Sequence, residues 1–440
     1  MSKVVEVKLW GTTIGYLGYP ENSNIAQFEY DENFMISKIY PSPLLMKYPP
    51  DKFSFEDISF RTFKGIPGVF TDSLPDKFGN QLIDQFMAEQ KIPQSDISTL
   101  DRLLYVGKRG MGALEYYPSA FEDGLESTGL LDITSLSELA EIVLNKKSDL
   151  HKKLENTKTK QEALNLIKVG SSAGGARAKA LVAKDKDNIL YDGTTLYNGD
   201  FTYWLLKFDS ASNQDRDSKD PKGMTKIEYI YSKLAKNCEI NMPETDYIID
   251  GDNFHFLIKR FDRIVENAKT TKLHYISWAG LSHFDRDITG AYSYEQLILN
   301  IRELGLGQDD VSEIFSRAVF NIIGRNQDDH TKNFGFLMDK RGKWSLSPAF
   351  DMIYSYDPLG KWTRVHQIKL NAKQDDFNID DIITFGKYCN LSKKQSLQII
   401  ENTINEFKKF EVLADEYNVD KELKQSILKN LRIDIMNKKI

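Results

Sequence analysis

Two stretches of the sequence decide the fold: N326-Q-D-D-H-T-K-N-F-G-F-L337 and, a short way on, S347-P-A-F-D351. In the first, Asp328 stands five positions before Asn333. In the second, Asp351 lies in an apolar run, where a carboxylate is costly to bury unless it is paired or binds a metal. Phosphoryl transfer from ATP needs a carboxylate that orients the attacking hydroxyl and oxygen ligands that hold magnesium. These stretches therefore predict half of a phosphoryl-transfer site; the alternative is an ordinary polar loop.

The spacing within the loop suggests a role for each polar residue. Protein kinase catalytic loops, HRDxxxxN, also place the base Asp five positions before the metal-binding Asn. By that spacing Asp328 is the candidate base, Asn333 is a candidate magnesium ligand, and Lys332 would neutralise charge on the transferred group. Asp329 competes with Asp328 as base, although it stands only four positions before Asn333. Asp351 is the candidate second ligand, because hard oxygen atoms together with phosphates suit Mg²⁺.

Upstream features supply what ATP binding needs besides this loop. The stretch G170-S-S-A-G-G-A-R-A-K179 is rich in small residues, which let backbone N–H groups approach phosphate oxygens. Lys207 stands between apolar strand neighbours and needs a partner, for which Glu228 in the next helix is the candidate. Taken singly, the Gly-rich stretch also fits a hairpin turn, and Lys207 also fits a side chain that snorkels from a strand end. The order of the whole set is the order found in protein kinases.

With these residues in place, the chain resembles the HipA-type serine/threonine kinases, the toxin half of bacterial toxin–antitoxin pairs. The resemblance spans nearly the whole chain. It rests on T71-D-S-L-P-D76, G107-K-R-G-M-G-A-L114, S172-A-G-G-A-R-A-K179, L206-K-F208, I227-E-Y229, K259-R-F-D-R263, D328-D-H-T-K-N333 and S347-P-A-F-D351.

The resemblance implies ATP and Mg²⁺ as cofactors, with Asp328 and Lys332 catalytic and Asn333 and Asp351 as metal ligands. It also implies a nucleotide site in which the backbone of the hinge strand meets adenine. The residues expected in that nucleotide site are Lys207, Glu228, Gly174, Gly175, Lys179, Lys259, Phe261 and Asp262.

A Ser in the Gly-rich loop of this family is autophosphorylated, which silences the kinase. Ser172 falls in that register, and Ser171 beside it is a second candidate acceptor. A phosphate adds about −1.5 to −2 charge and would repel the ATP phosphates in the same cleft.

The resemblance further implies a partner, a small helix-turn-helix antitoxin (HipB-like) that binds operator DNA, so that DNA is contacted only indirectly. It implies a protein substrate, and aminoacyl-tRNA synthetases, including glutamyl-tRNA synthetase, are among the family's targets. Two alternatives stay open at this point. One is a small-molecule kinase with the same core, and the other is a non-catalytic co-repressor module in a DNA-binding complex.

Composition limits the remaining classes. The net charge of −6 and the pI near 5.7 give no general attraction to nucleic acid or anionic membrane. Cys238 and Cys389 lack metal-ligand spacing, which favours a reducing cytoplasm. The first residues do not read as a signal peptide, and no apolar run approaches a membrane span, so a cytoplasmic protein without membrane contact is expected. His330 is expected to brace its loop, since no HxxxH or HExxH pattern indicates zinc.

The predicted fold class is α+β: a small N-terminal α+β subdomain, then a bilobal protein-kinase-like core with a helical C-terminal lobe. Short alternating strands at the start predict a small antiparallel sheet. The expected units are an N-terminal subdomain over 1–118, a solvated helical connector over 119–165, a kinase N-lobe over 166–265 and a C-lobe over 266–440.

Overall fold

The computed structural model describes residues 4–89, 91–119, 129–144, 166, 168–170, 177–209 and 221–437. Within these ranges the chain folds into antiparallel sheets and helices, which confirms the α+β class. The predictions for Ser171, Ser172, Gly174 and Gly175 lie outside the described residues. In the described part of the chain, each helix is too short or too polar to cross a bilayer.

Fifteen strands lie in the described residues. They are β1 Val4–Leu9, β2 Thr12–Gly18, β3 Gln27–Tyr30, β4 Lys52–Phe53, β5 Leu114–Tyr117, β6 Lys179–Lys184, β7 Leu190–Asp192, β8 Thr202–Lys207, β9 Thr245–Asp250, β10 Asn253–Lys259, β11 Arg263–Glu266, β12 Lys269–Lys272, β13 His274–Ser277, β14 Gly335–Met338 and β15 Trp344–Leu346.

The α-helices of the same residues follow in chain order. They are α1 Glu32–Met35, α2 Phe60–Phe63, α3 Gly68–Thr71, α4 Lys77–Glu89, α5 Thr99–Val106, α6 Ile133–Leu144, α7 Met224–Asn237, α8 Trp278–Ser282, α9 Tyr294–Glu303, α10 Gln308–Gly324, α11 Ile379–Tyr388, α12 Lys393–Phe407, α13 Phe410–Glu416 and α14 Lys421–Asn430. Short 3₁₀ turns lie at Gln94–Asp96, Thr331–Asn333 and Ile435–Asn437.

The first sheet has the order β4-β3-β2-β1-β5, and all its pairs are antiparallel. In β1, Val5, Val7 and Leu9 are fully buried while the residues between them are not. This alternation is the period-two pattern of a strand with one face on a core. The small opening sheet predicted from the sequence is therefore confirmed.

The second sheet, in the order β7-β6-β8-β10-β9, forms the N-lobe. Its register pairs Lys179 with Lys207 and Lys207 with Phe256. Directly opposed residues point to the same face of a sheet, so these three side chains share the face toward the C-lobe. The alternate residues, such as Trp204 and Leu257, belong to a separate core on the other face.

Helices α4 and α6 cover that other face. The core there combines Phe78 and Leu82 of α4 and Leu136 and Leu139 of α6 with the sheet. Helix α6 belongs to the segment predicted as a solvated connector, and its described part is instead packed in a core. That part of the prediction was wrong, because the apolar residues of α6 recur at helical spacing and bury against the sheet. The packing also crosses the predicted boundary near residue 118.

The C-lobe is built around the buried helix α10, whose residues from Ala318 to Gly324 have little or no solvent exposure. A Cβ at Gly324 would lie 2.2 Å from the Phe407 ring, so this position needs glycine to pack α10 against α12. The helix ends at Arg325 in a left-handed conformation, and the quoted loop begins at the next residue. Strand β14 follows the loop and pairs with β13 and β15 in a small sheet, which the sequence analysis did not predict.

Candidate active site

The ammonium group of Lys207 joins the two lobes. Lys207, at the end of β8, lies 2.5 Å from Oε1 of Glu228 in α7, so the ion pair predicted from the sequence is formed. The same Nζ also contacts Oδ1 of Asp351 in the C-lobe. Lys207 is 7% exposed and Glu228 is 2% exposed, so this pair is screened little by water.

The charges in this cluster stabilise one another. Burial by itself would lower the pKa of Lys207, but Asp351 and Glu228 raise it above its ordinary value. Burial by itself would raise the pKa of Asp351, but Lys207 and Lys179 lower it to about 2. Lys207 and Asp351 are therefore both charged at neutral pH.

Asp351 and Asn333 line one small hollow together with Asn321 and Asn326. Asp351 has a φ of 52°, a left-handed conformation that Asp tolerates better than most residues. The Asn326 amide donates to the Asp351 carbonyl at 3.3 Å, which supports that conformation. The oxygen-rich lining fits Mg²⁺, which favours hard oxygen ligands.

This hollow is not a protein cage for a metal. Among the described residues, no group of three or more His, Cys, Asp or Glu side chains could hold an ion. One carboxylate and one amide are nevertheless the set expected for Mg²⁺ that keeps waters and shares phosphate oxygens. Asn333 and Asp351 are therefore suited to a magnesium–nucleotide complex and poorly suited to binding a bare cation.

Asp328 and Asn333 are tied to each other by a direct hydrogen bond. The Nδ2 of Asn333 donates to the Asp328 carbonyl at 2.7 Å, so Oδ1 lies on the other side of the amide. The backbone N–H of Asp328 donates to the Ser355 hydroxyl at 2.9 Å, and that hydroxyl donates to Asn326. The loop backbone is thus held from both sides while the Asp328 side chain is only half-buried.

Asp329 lies in a different environment from its neighbour. Its side chain is fully buried and accepts hydrogen bonds from the Tyr294 hydroxyl at 3.0 Å and the Gln367 backbone at 2.8 Å. The His366 Nδ1 lies 2.8 Å from the same carboxylate, and burial lowers the pKa of this imidazole. The Asp329 carboxylate, which also lines the hollow with Asn333 and Asp351, is thus engaged in structural hydrogen bonds, and Asp328 stays the predicted base.

Lys332 points toward the N-terminal subdomain. Its Nζ lies 3.8 Å from Oδ1 of Asp72, just after α3. Asp72 is fixed by the Ser277 backbone N–H at 2.7 Å and the Ser277 hydroxyl at 2.8 Å. Burial lowers the pKa of Lys332, and Asp72 is the largest influence that opposes it. His330 accepts from the Lys332 backbone N–H at 3.2 Å, as expected for a residue that braces the loop.

Lys179 has a partner from the same N-terminal segment. Its Nζ lies 3.2 Å from Oδ2 of Asp76, and both side chains are at most 7% exposed. The other oxygen of Asp76 accepts from the Gly79 backbone at 2.7 Å and so caps α4. Since Lys179 opposes Lys207 in the sheet, two lysines face the cleft side by side.

Three aromatic rings gather where the hinge strand enters the C-lobe. The Phe261 ring lies 5.9 Å from Tyr275 and 5.7 Å from Phe350, and all three rings are half-buried. A Cβ at Gly335 would lie 2.4 Å from the Tyr275 ring, so glycine is needed there to seat that ring. Such a cluster offers an apolar surface suited to a flat heteroaromatic ring.

The side chains of two hinge residues have partners within the protein. Lys259 pairs with Trp204, on the sheet face opposite Lys207, and its Nζ donates to Glu244 at 3.0 Å, so only its backbone is left to meet a nucleotide. Asp262 is fully buried between Arg260 and Arg263. Its carboxylate also accepts from the Gly112 backbone at 2.7 Å. The Asp262 side chain is thus occupied by an ion-pair cluster, and a contact of Asp262 with the nucleotide stays a prediction for the hinge backbone.

Sequence reasoning missed several residues that the structure brings to this cleft. They are Asp72 and Asp76 of the N-terminal segment, Tyr275 beside the hinge, and the loop supports Asn321, Asn326 and Ser355. The segment T71-D-S-L-P-D76 was recognised only as a family feature. Its two carboxylates were a signal, but nothing local in the sequence identifies the lysines that they meet.

Comparisons with known proteins identify the family of the chain. A family model for the HipA N-terminal domain matches residues 5–117, and a model for the HipA-like C-terminal domain matches residues 171–410. A candidate kinase of Sinorhizobium fredii, Y4dM, is 23% identical over 219 residues, which are 47% of this chain and 50% of that protein. A candidate kinase of Haemophilus influenzae is 25% identical over 247 residues, 48% of this chain and 70% of that protein. The match thus spans about half the length of the first of these relatives.

A solved structure shares the fold over the whole length. HipA of Shewanella oneidensis MR-1, in complex with HipB and operator DNA, superposes with a TM-score of 0.65. The superposition covers 98% of this chain and 97% of that chain at 15% identity. At such identity the likeness is one of fold.

Proposed function

The chain belongs to the HipA family, and from this membership we propose that it is a kinase that uses ATP and Mg²⁺ to phosphorylate serine or threonine in a protein. One observation carries the proposal. A run of contacts links Lys207 to Asp351, Asp351 to the hollow that it shares with Asn333, and Asn333 to Asp328. These contacts bring Lys207, Asp351, Asn333 and the backbone of Asp328 together, and phosphoryl transfer requires residues of these types, which supports the proposal.

The phosphate end of the nucleotide belongs near Lys207 and Lys179. Their opposed positions on β6 and β8 present two ammonium groups on one face of the sheet. Glu228 fixes Lys207 from behind, as the Lys–Glu pair does in protein kinases. Asn333 and Asp351 would hold Mg²⁺, which supplies charge neutralisation on the phosphates. The aromatic cluster of Phe261, Tyr275 and Phe350 is the proposed adenine side of the cleft.

The acceptor hydroxyl belongs near Asp328. This carboxylate is half-buried and lies on a backbone pinned by Ser355 and Asn333, so it can orient a hydroxyl and accept its proton as the oxygen attacks the γ-phosphorus. ADP is then the leaving group. Lys332, next to Asn333 in the sequence, would offset the negative charge of the transferred group.

Regulation and partners are part of the same proposal. A phosphate on Ser172, or on Ser171, would add negative charge to the Gly-rich stretch that precedes Lys179 in the sequence and would oppose ATP binding. The structural relative from Shewanella was solved with HipB and DNA, which supports a HipB-like helix-turn-helix partner and indirect contact with DNA. A translation factor such as an aminoacyl-tRNA synthetase is the proposed target, within a toxin–antitoxin pair.

Incubation of the purified protein with labelled ATP and Mg²⁺ tests the proposal. We expect phosphate to appear on Ser171 or Ser172, located by mass spectrometry, or on an added aminoacyl-tRNA synthetase. Label on small molecules alone would favour the small-molecule kinase. Absence of both transfer and an ATP-dependent thermal shift would favour the non-catalytic co-repressor.

A further inference from the structure

The Thr71–Asp76 segment joins the N-terminal subdomain to the start of α4, and both of its carboxylates reach lysines of the cleft. Asp76 lies 3.2 Å from the Lys179 ammonium at the N-lobe side. Asp72 lies 3.8 Å from the Lys332 ammonium at the catalytic loop. One short piece of chain thus contacts both walls of the candidate active site.

The segment is itself held rigidly. Ser73, between the two carboxylates, accepts a 2.7 Å hydrogen bond from the Tyr116 hydroxyl of β5. The Pro75 carbonyl accepts from the Asn80 amide at 2.9 Å. Asp72 is pinned by two hydrogen bonds from Ser277, at 2.7 and 2.8 Å. The carboxylates are therefore fixed by the N-terminal sheet, by α4 and by the turn that starts α8.

Both carboxylates of the segment are buried, so water screens their charges little. Asp72 is 7% exposed at its side chain, Asp76 is 7% exposed and Lys179 is 3% exposed. Burial lowers the pKa of Lys179, Lys207 opposite lowers it further, and Asp76 is the largest influence that opposes them. A like charge directly across the strands is unfavourable unless it is compensated, and the Asp76 carboxylate 3.2 Å from Lys179 offsets the repulsion from Lys207.

Resting on the proposed kinase function, we propose that the Thr71–Asp76 segment completes the phosphoryl-transfer site. Asp76 and Asp72 are positioning residues: Asp76 holds Lys179 for the nucleotide phosphates, and Asp72 holds Lys332 beside the transferred group. The N-terminal subdomain is then a working part of the active site as well as a structural support. Its two carboxylates have separable effects, one on nucleotide binding and one on transfer.

Asp76→Asn is the sharpest variant, because Asn caps a helix about as well as Asp and so preserves the bond to Gly79. We expect Asp76→Asn to weaken binding of ATP·Mg²⁺, measured by calorimetry, by about tenfold or more. Asp76→Glu retains the carboxylate and should recover part of the affinity. In a Lys179→Met background, Asp76→Asn should have little further effect.

Asp72→Asn should leave the affinity for ATP·Mg²⁺ within about twofold of the native value and should slow phosphate transfer at saturating ATP by on the order of tenfold to a hundredfold. The matched control is Asp420→Asn, which alters another capping Asp, at the start of α14. That control should change neither binding nor transfer. Thermal unfolding of each variant separates loss of fold from loss of positioning.

The outcomes decide the two proposals separately. If the native protein binds ATP and transfers phosphate but Asp76→Asn and Asp72→Asn behave like Asp420→Asn, the positioning role is wrong and the kinase function stands. If the native protein binds ATP without any transfer, the kinase function fails while the Asp76 comparison still decides its role toward Lys179. If the native protein binds no ATP, both proposals fall.

Discussion

Asp328 and Asp329 are adjacent in the chain, yet their carboxylates lie in opposite environments. The Asp329 side chain is fully buried and hydrogen-bonded to Tyr294 and Gln367, while Asp328 is half-buried. The Asp329 carboxylate anchors the loop, and the Asp328 carboxylate is the one left for the proposed chemistry. This division gives the first prediction, because the same substitution at the two positions should have different consequences.

Asp328→Asn should abolish phosphate transfer and leave the unfolding temperature nearly unchanged. Asp329→Asn should lower the free energy of unfolding by roughly 1–3 kcal/mol for each buried group left without a partner. Rates of transfer from labelled ATP and urea denaturation measure the two effects. An active Asp328→Asn protein would remove the assignment of the base.

The buried pair of Lys207 and Glu228 gives a prediction that separates stability from chemistry. Lys207→Met leaves Glu228 buried with its cationic partner gone, and breaking such a pair costs about 3–5 kcal/mol. The double variant Lys207→Met, Glu228→Leu should recover much of that stability, since apolar residues of similar volume replace buried pairs well. Transfer activity should be absent in both. Denaturant titration and transfer assays provide the comparison, and an active double variant would contradict the role of Lys207.

A substitution at Gly335 tests the proposed adenine-binding side of the cleft. Alanine there would bring a Cβ within 2.4 Å of the Tyr275 ring and displace it from Phe261 and Phe350. Gly335→Ala should therefore weaken ATP binding by about tenfold, an effect of about 1.4 kcal/mol. In a Tyr275→Ala background, the same change should cost much less, because the collision is gone. Equal losses in both backgrounds would show that the ring is not the cause.

His283 links the N-terminal subdomain to the C-lobe in a manner that depends on pH. Its Nε2 accepts a hydrogen bond from the Gly68 N–H at 2.9 Å, so protonation of that nitrogen breaks the bond. Burial lowers the pKa of His283 from 6.5 to about 4. The unfolded chain therefore binds the proton first as the pH falls, and stability is lost from about pH 6.5 down toward pH 4.

Between pH 6.5 and pH 5 this contribution amounts to up to about 2 kcal/mol in the free energy of unfolding. His283→Asn cannot titrate in this range, and Asn tolerates the left-handed φ of 53° at this position. Urea denaturation across this range should show a smaller loss for the variant than for the native protein. Parallel curves would mean that another group carries the pH dependence.

The local parts of the site could be predicted from the sequence. Asp328 and Asn333 lie in the same loop, so their spacing can be read directly from the sequence. Lys207 lies in a strand and Glu228 in the next helix along the chain. Consecutive elements are usually adjacent in space, so their contact can be expected from the sequence. The surrounding strands and helices could also be predicted, because the period at which apolar residues recur indicates which face of an element is buried.

Other features depend on contacts between distant parts of the chain. Only the folded structure buries Asp329 and Asp262 in ion-pair and hydrogen-bond networks, brings Asp72 to Lys332 and Asp76 to Lys179, and packs α6 into the N-lobe core. A carboxylate in a sequence carries no sign of which cation it will face, since that choice follows from the packing of whole elements. The sequence by itself therefore determined the chemistry available to this protein, and the tertiary structure decided which charged groups serve the cleft and which stabilise the fold, because burial and ion pairing are properties of the assembled core.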